Sequence, residues 1–456
     1  MSEITEKNRS LFQRPAKFVS AFLKKPLLAA FMLGMTSGFP LTIILGIMTV
    51  WLSQHDIQKT TIGIFTLATL PYSLKIFWAP LLDRGKLGKW AENVGRRKSW
   101  IFVIVALLSL VIVYLSSLSP DTDLIMMGTM SLSIGFLSAS LDIVIDAYRI
   151  EVTDERDLAH SAGMYQWGYR LANLIAGAGV FTVAHYTSWG FAIMLLPLLT
   201  VPGVVAVLWV GEPTIEEGEF LKSEKAAHSK LQGYQAWIFE AVVLPFKEFI
   251  LRPNWYWILL FITLVKFGDV MAAIMTGPFL DEGLGFSLLE MAYANKAVGA
   301  LAAAVGSAFG ILVWWWFDTY RALLLSIILM MVTNLGFVWL SYVGHDTTAL
   351  AIVVGLENFA SGIGGTVMIA YFGSLCNLSF TATQYALLST LSSVARGFFG
   401  SASGVLADMM SWTQFFLVST LLALPGLFVL LILWKKNIGA EGIPLKDMPD
   451  PENVNK

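Results

Sequence analysis

Four ionisable residues, Asp142, Asp146, Arg149 and Glu151, end an apolar run that reaches back to about Leu124. A charged side chain near the middle of a bilayer costs roughly 2.5–3.5 kcal/mol on insertion scales, so a membrane helix that keeps such residues uses them. The spacing of Asp142, Asp146 and Arg149 places all three on one helix face. Two carboxylates this close repel each other, and the pattern indicates either a proton-binding charge network or a fixed structural cluster.

Two other apolar runs are interrupted by carboxylates. Lys266 and Asp269 are three residues apart and are expected to neutralise each other, so that protonating Asp269 would free Lys266. Glu357 is the only charge in its run, and a lone buried carboxylate tends to bind a proton, which makes it a candidate acceptor. The alternative for Glu357 is a permanently protonated side chain that is hydrogen-bonded to neighbouring helices.

Amide, aromatic and guanidinium groups share one face of another helix. Gln166, Tyr169, Arg170 and Asn173 follow the spacing of a single helix face, and such groups suit the hydroxyls and C–H faces of a sugar. Arginine also binds carboxylates through two parallel hydrogen bonds. Either a substrate carboxylate or one of the intramembrane acids is the expected partner of Arg170. Further candidate binding residues are Lys266, Asn295, Asn358, Tyr371 and Arg396.

These residues lie on long apolar segments that predict an all-α membrane protein. Of the 456 residues 56% are hydrophobic and only 14% are charged, against about 25% in soluble domains. Windows of about 20 apolar residues predict twelve spans. We number them 1 to 12, near residues 27–52, 60–82, 100–117, 123–148, 161–185, 190–210, 254–279, 288–315, 322–342, 347–375, 381–407 and 412–434. Spans 5 and 11 are the most polar of these, since both carry Arg, Gln and several Gly or Ser.

Composition also excludes several classes of function. A net charge of −2 gives no basis for nucleic-acid binding, and the single cysteine, Cys376, excludes an intramolecular disulfide. No His/Cys cluster predicts a metal site, and no nucleophile–base set predicts an enzyme. We therefore expect neither a metal nor a cofactor.

Lys and Arg are concentrated in alternate loops. They fill the N-terminal tail, the loop between spans 2 and 3, the central loop 211–253 and the segment after span 12. The alternate loops near 117–123, 187–190, 281–287, 344–347 and 408–411 contain none. The positive-inside rule places both termini and the central loop in the cytoplasm. The first apolar stretch is too long for a signal-peptide core, so it is expected to be a retained span.

The central loop divides the chain into two halves. We predict a cytoplasmic tail over 1–26, a six-helix bundle over 27–210, a cytoplasmic loop over 211–253, a second six-helix bundle over 254–434 and a cytoplasmic tail over 435–456. Residues 231–251 alternate between apolar and polar and are a candidate interfacial helix. At an offset of 223 residues, Val144–Tyr148 aligns with Val367–Tyr371, which pairs span 4 with span 10. Two such repeats around a central cavity form the architecture of major facilitator transporters.

Three motifs, in order along the chain, resemble the AmpG-type muropeptide permeases, a branch of the major facilitator superfamily. They are Leu70–Lys75 with Trp78–Arg84, Asp142–Arg149, and Phe380–Ser389. The resemblance covers the whole transporter core. It implies proton-driven import of anhydromuropeptides, the sugar–peptide fragments of cell-wall turnover, across a bacterial inner membrane. Because such fragments carry free carboxylates, it also implies that Arg170 and Arg396 anchor them.

The loop after span 2 resembles a second major facilitator pattern. Asp83-Arg84 is followed, after an insertion, by Gly95-Arg96-Arg97-Lys98. A carboxylate at a helix end, set against arginines, can form a cytoplasmic clasp that closes and opens, although the same residues are also a plain topology signal. With Lys75, Asp146 and Arg149 they form the predicted gate and charge network.

Depth along the helices separates the predicted roles. The run that ends at Glu151 lies in the cytoplasmic half of span 4, so Glu151 is expected in the headgroup region without a special role. Asp269 and Glu357 lie near mid-depth, and with Asp142 they are the candidate proton-coupling residues.

The main hypothesis is a monomeric transporter whose partners are a sugar–peptide, protons and the lipid bilayer. Within transporters, the alternative cargoes are acetyl-CoA, since acetyl-CoA transporters resemble the same branch, another sugar–peptide, or a siderophore-like molecule. From a different class, the alternative is a non-transporting membrane sensor. A sensor would be expected to carry a folded soluble domain, for which the central loop is short and polar.

Overall fold

A computed structural model gives the structure of residues 23–85, 87–215, 218–229, 233–287, 290–291 and 293–438. Within its helices, the side chains of residues 59–60, 156, 295–297 and 395–402 lie outside the described part. All regular elements in these ranges are helical, which agrees with the predicted all-α class. The chain forms two units, one of 1–71 with 85–216 and one of 72–84 with 217–456.

The first unit contains the helices of spans 1 and 3 to 6 and the first part of span 2. Span 1 runs over Lys25–Gln54 with a π-helical segment at Ile43–Ile47. The others are Lys59–Phe65 and Thr66–Thr69 of span 2, a short helix Gly88–Val94, span 3 at Arg96–Ser116, span 4 at Leu124–Glu151, span 5 at Leu158–Tyr186 and span 6 at Trp189–Val210.

The second unit begins with the end of span 2, where Leu70–Leu74 crosses from the first unit and Lys75–Phe77 and Ala79–Arg84 follow. The central loop forms Glu219–Ala227, Gly233–Ile238, Phe239–Val243 and Leu244–Leu251. Spans 7 to 12 follow at Trp255–Gly283, Tyr293–Trp316, Thr319–Val343, Thr347–Leu375, Thr381–Asp408 and Trp412–Lys436. The predicted ranges of the two bundles stay predictions, and 72–84 packs within the second unit.

Length and hydropathy explain why these helices suit a membrane. Among the described residues, eight helices are long and apolar enough to cross one, and two shorter apolar helices cover 61–77 and 300–316. The remaining two predicted spans are the long helices Leu158–Tyr186 and Thr381–Asp408, whose polar residues keep their hydropathy low. These are spans 5 and 11, the two that the sequence marks as most polar.

Glycines bring spans 1 and 5 into backbone contact. A β-carbon at Gly34 would clash with the carbonyl of Tyr165, and one at Gly38 would clash with that of Tyr169. In the opposite direction, a β-carbon at Gly168 would clash with the carbonyl of Phe31. Small residues at a helix crossing allow this close approach, which fixes the depth of the polar face of span 5 relative to span 1.

Span 7 is interrupted in its middle. One α-helix ends at Leu264 and the next begins at Phe267, with Lys266 at φ −104° and ψ 10° between them. Span 12 packs closely on both sides of this break, because β-carbons at Gly268 and Gly426 would clash with the backbones of Ser419 and Val265. The sequence predicts one continuous helix here, since no proline marks the interruption.

Candidate functional site

The charge cluster predicted on span 4 lies inside the first unit. Arg149 is fully buried, and its Nη2 lies 3.8 Å from Asp146 Oδ1. Its guanidinium also lies over the ring of Tyr165, 5.6 Å from the ring centre, and its Nη1 lies 3.5 Å from Ser161 Oγ. The Nε and Nη2 atoms of Arg149 have no hydrogen-bond partner among the described residues. The cluster therefore holds its cation mainly by electrostatic contacts.

Asp142 is bound from span 1 by Ser37, which is in turn bound from span 5. Ser37 of span 1 donates a hydrogen bond to Asp142 Oδ1, and the Ser37 hydroxyl lies 2.7 Å from Tyr165 Oη of span 5. Neither Ser37 nor Tyr165 is predicted from the sequence as a site residue. A hydroxyl among apolar residues gives no signal by itself, and only the crossing of three helices brings these two to the carboxylate.

The residues of the predicted polar face of span 5 lie on one continuous helix, and they differ in their contacts. Asn173 accepts a hydrogen bond from Thr42 of span 1. Arg170 is partly buried, and its Nε has no hydrogen-bond partner among the described residues. Tyr169 lies 6.4 Å from Tyr165, centre to centre, and Gln166 is partly buried. Arg170 thus has hydrogen-bonding capacity that a ligand carboxylate could use.

In the second unit, three predicted charges gather at the break in span 7. Lys266 is the residue before the second helix of the span, and Asp269 lies in the first turn of that helix. Glu357 of span 10 is close enough to both for electrostatic interaction. Glu357 also accepts a hydrogen bond of 3.0 Å from Asn358, whose amide donates to Val354 as well. The structure therefore unites residues that the sequence treats as two separate sites.

The other predicted binding residues of the second unit are less accessible. Tyr371 is fully buried, packs edge-to-face against Phe261, and its hydroxyl has no hydrogen-bond partner in the described structure. A substrate would reach it only after this packing changes. Arg396 and Asn295 lie on described helices, but their side chains fall outside the described part of the chain.

Where span 4 ends in the first unit, Arg97 pairs with Glu151. Arg97 Nε donates to Glu151 Oε2 at 3.0 Å, and both side chains are shielded from solvent. The backbone N–H groups of Arg97 and Lys98 donate to the carboxylate of Glu212 at 2.7 and 3.1 Å. The expectation for Glu151 is therefore wrong, because it is a buried partner of the predicted gate residue Arg97. The depth of Glu151 along span 4 is predicted from hydropathy, which does not show which residue of another helix contacts this side chain.

Asp83 is held at the start of span 11. Its Oδ2 accepts hydrogen bonds from the backbone N–H and the hydroxyl of Thr383, at 3.0 and 2.8 Å, and Asp83 is buried. A carboxylate at a helix N-terminus is favoured by the free N–H groups and by the helix dipole. Arg84 donates to the carbonyl of Ser379 at 2.8 Å and lies over the ring of Phe380.

Lys75 and Arg96 complete the predicted gate set. Lys75 is buried at the end of span 2 in the second unit, and Arg96 begins span 3 in the first unit.

The central loop packs near the start of span 11 in the second unit. Glu248 pairs with Arg252 at 2.7 Å and accepts from the amide of Gln384. Arg252 donates to the carbonyl of Leu375 at 2.6 Å, at the end of span 10, and Gln384 also accepts from the backbone of Asn377 at 2.7 Å. Gln384 follows Thr383 directly, so the loop network and the Asp83 contact share the first turn of span 11.

No group of three or more His, Cys, Asp or Glu side chains in the described residues could hold a metal ion.

Comparisons with known proteins place the chain in a family. The model of the Major Facilitator Superfamily matches residues 27–400. The putative transporter AmpG 4 of Rickettsia felis is 35% identical over 411 residues, which cover 89% of this chain and 96% of that protein. The anhydromuropeptide permease of Escherichia coli is 34% identical over 401 residues, which cover 88% of this chain and 78% of that protein.

The solved structures agree on the fold. The proton:xylose symporter XylE bound to 6-bromo-6-deoxy-D-glucose superposes with a TM-score of 0.64 at 13% identity, over 94% of this chain and 99% of that one. At such a low identity the superposition shows the fold alone, and this fold fits the predicted twelve-helix class. Together these matches show that the chain is a membrane transporter of the major facilitator superfamily and belongs to its AmpG branch.

Proposed function

We propose that this transporter imports anhydromuropeptides across a bacterial inner membrane together with protons, by alternating access. The observation that carries the proposal is the 34% identity with the anhydromuropeptide permease of Escherichia coli, over most of both chains. In the proposed orientation both termini are cytoplasmic, as the distribution of Lys and Arg predicts.

Substrate recognition is assigned to the polar face of span 5. Muropeptide fragments offer sugar hydroxyls, apolar sugar faces and peptide carboxylates. Arg170 supplies a guanidinium with unused hydrogen-bonding capacity, and Tyr169 supplies an aromatic ring on the same face. Arginine is suited to carboxylates because its planar fork makes paired hydrogen bonds. Arg396 is proposed as the matching anchor in the second half.

Proton coupling is assigned to the intramembrane carboxylates Asp142, Asp269 and Glu357. Each lies beside a cation or a hydrogen-bond donor that would respond to its protonation. The membrane potential supplies about 2.3 kcal/mol per charge per 100 mV, so one proton moved inward can drive substantial accumulation.

Gating is assigned to the contact between Asp83 and Thr383. Two hydrogen bonds to a buried carboxylate hold the end of span 2 at the start of span 11. In the proposed cycle this contact forms when the cytoplasmic side closes and breaks when substrate is released inward. Arg97 and Glu151 stiffen the neighbouring helix ends of the first unit.

The test is uptake of labelled anhydromuropeptide into right-side-out vesicles that contain the purified protein. We expect accumulation with an inward proton gradient and its collapse with a protonophore. Arg170→Lys is the matched variant, since it keeps the positive charge and loses the planar fork. We expect it to raise the substrate concentration for half-maximal uptake about tenfold, as the loss of a charge-assisted hydrogen bond of about 1.5 kcal/mol would. Absence of gradient-dependent uptake in the wild-type protein contradicts the proposal.

A further inference from the structure

Ser37 and Tyr165 form a hydrogen-bond chain that ends on Asp142. Ser37 donates to Asp142 Oδ1, and its oxygen lies 2.7 Å from Tyr165 Oη. A serine hydroxyl has a single hydrogen to donate. Because that hydrogen points to the carboxylate, the second bond must be donated by the tyrosine. The chain therefore runs in one direction, from Tyr165 through Ser37 to Asp142.

The chain joins three helices, and its two hydroxyl residues are buried. Ser37 belongs to span 1, Tyr165 to span 5 and Asp142 to span 4, and Ser37 and Tyr165 are 1% and 8% exposed. Hydrogen bonds are stronger in such surroundings than in water. The close backbone contact between Gly34 and Tyr165 fixes spans 1 and 5 to each other, so the two hydroxyls keep their spacing.

The far end of the chain reaches the buried cation. Arg149 lies over the ring of Tyr165 at 5.6 Å and is 3.8 Å from Asp146. Asp146 thus contacts the guanidinium directly, and the hydrogen-bond chain also links Asp142 to it through Ser37 and Tyr165. With all three charges present, the cluster has one more negative than positive charge, and a single proton makes it neutral.

We propose that Ser37 and Tyr165 are positioning residues for proton coupling, which hold the Asp142 carboxylate ionised and reverse their hydrogen bonds when it takes up a proton. The inference rests on the proposed function. Protonated at Oδ1, Asp142 donates to Ser37, Ser37 donates to Tyr165, and the tyrosine hydrogen must find another acceptor. One proton gained at span 4 is thereby converted into a changed contact on span 5, beside the proposed substrate face.

Few other titratable groups face this chain. Asp146 and Arg149 lie on its own helix, and Tyr169 lies one turn from Tyr165 on span 5. Span 4 also packs against span 3, against Thr66–Thr69, which has no titratable side chain, and against Lys59–Phe65, whose Lys59 side chain lies outside the described part. The charges at the start of span 3 lie beside Glu151 and Glu212, at the cytoplasmic end.

The test is the pH dependence of gradient-driven uptake, normalised to the amount of protein in the membrane. Ser37→Ala removes the donor to the carboxylate, so its protonation becomes easier. We expect the half-maximal pH of driven uptake to rise by about one unit. Tyr165→Phe should shift it in the same direction by a smaller amount, and Ser37→Thr, which restores a hydroxyl, should return it toward the wild-type value.

Thr36→Val is the matched control. Thr36 is a fully buried hydroxyl next to Ser37, but it accepts a hydrogen bond of 2.8 Å from the backbone of Gly203 on span 6 and touches no carboxylate. The pH profile of driven uptake by Thr36→Val should have the same half-maximal pH as that of the wild-type protein. If Ser37→Ala and Tyr165→Phe lower uptake equally at every pH, the positioning role is wrong and the hydroxyls are structural. If Ser37→Ala does not reach the membrane, the half-maximal pH of Tyr165→Phe decides between the positioning role and a purely structural role. A wild-type protein without driven uptake would instead refute the proposed function.

Discussion

The two units hold their intramembrane charges in different ways. In the first unit, Asp142, Asp146 and Arg149 lie on one uninterrupted helix, and a hydrogen-bond chain of two hydroxyls from two other spans ends on Asp142. In the second unit, Lys266 lies at a break in span 7 and Asp269 lies in the first turn of the helix that follows, and both side chains are only partly buried. The first cluster is built into packed helices, whereas the second lies where the backbone itself is interrupted.

Because of this difference, we expect substitutions in the two clusters to affect different properties, namely the stability of the fold in the first unit and transport in the second. Removing a charge from a packed, buried cluster leaves the opposite charge buried without a partner, which destabilises the folded state. Removing one at a partly buried helix break leaves room for water and for relaxation of the backbone. We therefore expect the first cluster to be sensitive in unfolding experiments and the second to be sensitive mainly in transport.

The largest expected effect is that of Arg149→Met. The substitution leaves two carboxylates near each other without their buried guanidinium, which typically costs about 3–5 kcal/mol. Thermal unfolding of the detergent-purified protein should show a strongly lowered midpoint, and driven uptake should be lost. Lys266→Met is the matched change in the second unit, and its midpoint should fall much less. Equal losses for both variants would show that the two clusters do not differ in this way.

The next largest effect tests the packing around the break in span 7. Gly268→Ala places a β-carbon against the carbonyl of Ser419, so spans 7 and 12 must separate locally. Overpacking of this kind costs about 1–3 kcal/mol. Gly277→Ala on the same helix is the control, because no atom lies within 4 Å of its added β-carbon. A midpoint for Gly268→Ala no lower than that for Gly277→Ala would show that the break tolerates separation from span 12.

Sequence reasoning predicts features within one helix and misses contacts between helices. Hydropathy gives the spans, and spacing gives the shared face of Asp142, Asp146 and Arg149, because both depend on local periodicity. The bond from Ser37 to Asp142 and the pairing of Glu151 with Arg97 depend on how deep each helix lies and how it is rotated. Those quantities are set by tertiary packing, which a hydropathy profile does not contain.

The same reasoning explains the second unit. The carboxylates there are conspicuous in sequence because charge is rare in an apolar run. The sequence does not show that these charges come together, because Lys266 and Glu357 are far apart along the chain and approach each other through the packing of spans 7 and 10. The Asp83 clasp is predicted against arginines, and that prediction does not include the hydrogen bonds from Thr383 at the start of span 11.

A smaller effect on stability, with a specific effect on transport, is expected for Glu357→Gln. The amide keeps the size of the side chain and its capacity to accept from Asn358, but it cannot bind a proton reversibly. Gradient-driven accumulation should fall at least tenfold while exchange of labelled for unlabelled substrate continues, and the unfolding midpoint should change little. Loss of exchange together with driven uptake would assign Glu357 to binding instead of coupling.

Each unit also carries an exposed pair of histidine and carboxylate. His55 lies 3.0 Å from Asp121 in the first unit, and His345 lies 3.2 Å from Glu290 in the second. The second pair is more elaborate, because Ser287 donates to Glu290 and His345 also bonds the carbonyl of Leu284. The comparison of the two units therefore extends to these loops.

The smallest expected effect is a pH-dependent contribution of His345 and Glu290 to stability. The hydrogen bond to Glu290 raises the pKa of His345 above its usual 6.5, and hydrogen bonds from Ser287 lower the pKa of Glu290 below its usual 4.5. A raised histidine pKa stabilises the fold at low pH, and that contribution is lost as pH rises through the folded-state value. A lowered carboxylate pKa stabilises at higher pH and is lost as pH falls. Both contributions are complete only between about 4.5 and 6.5.

Thermal unfolding of the wild-type protein and His345→Gln, measured at pH 5.5 and pH 9, tests this window. The wild type should exceed the variant at the lower pH, and the difference should shrink at the higher pH, where the imidazole is neutral in both states. The difference should be small, since exposed pairs contribute little and are screened by salt. A gap that widens toward pH 9 would mean that His345 contributes through its packing on Phe286, which the structure also shows, and not through its charge.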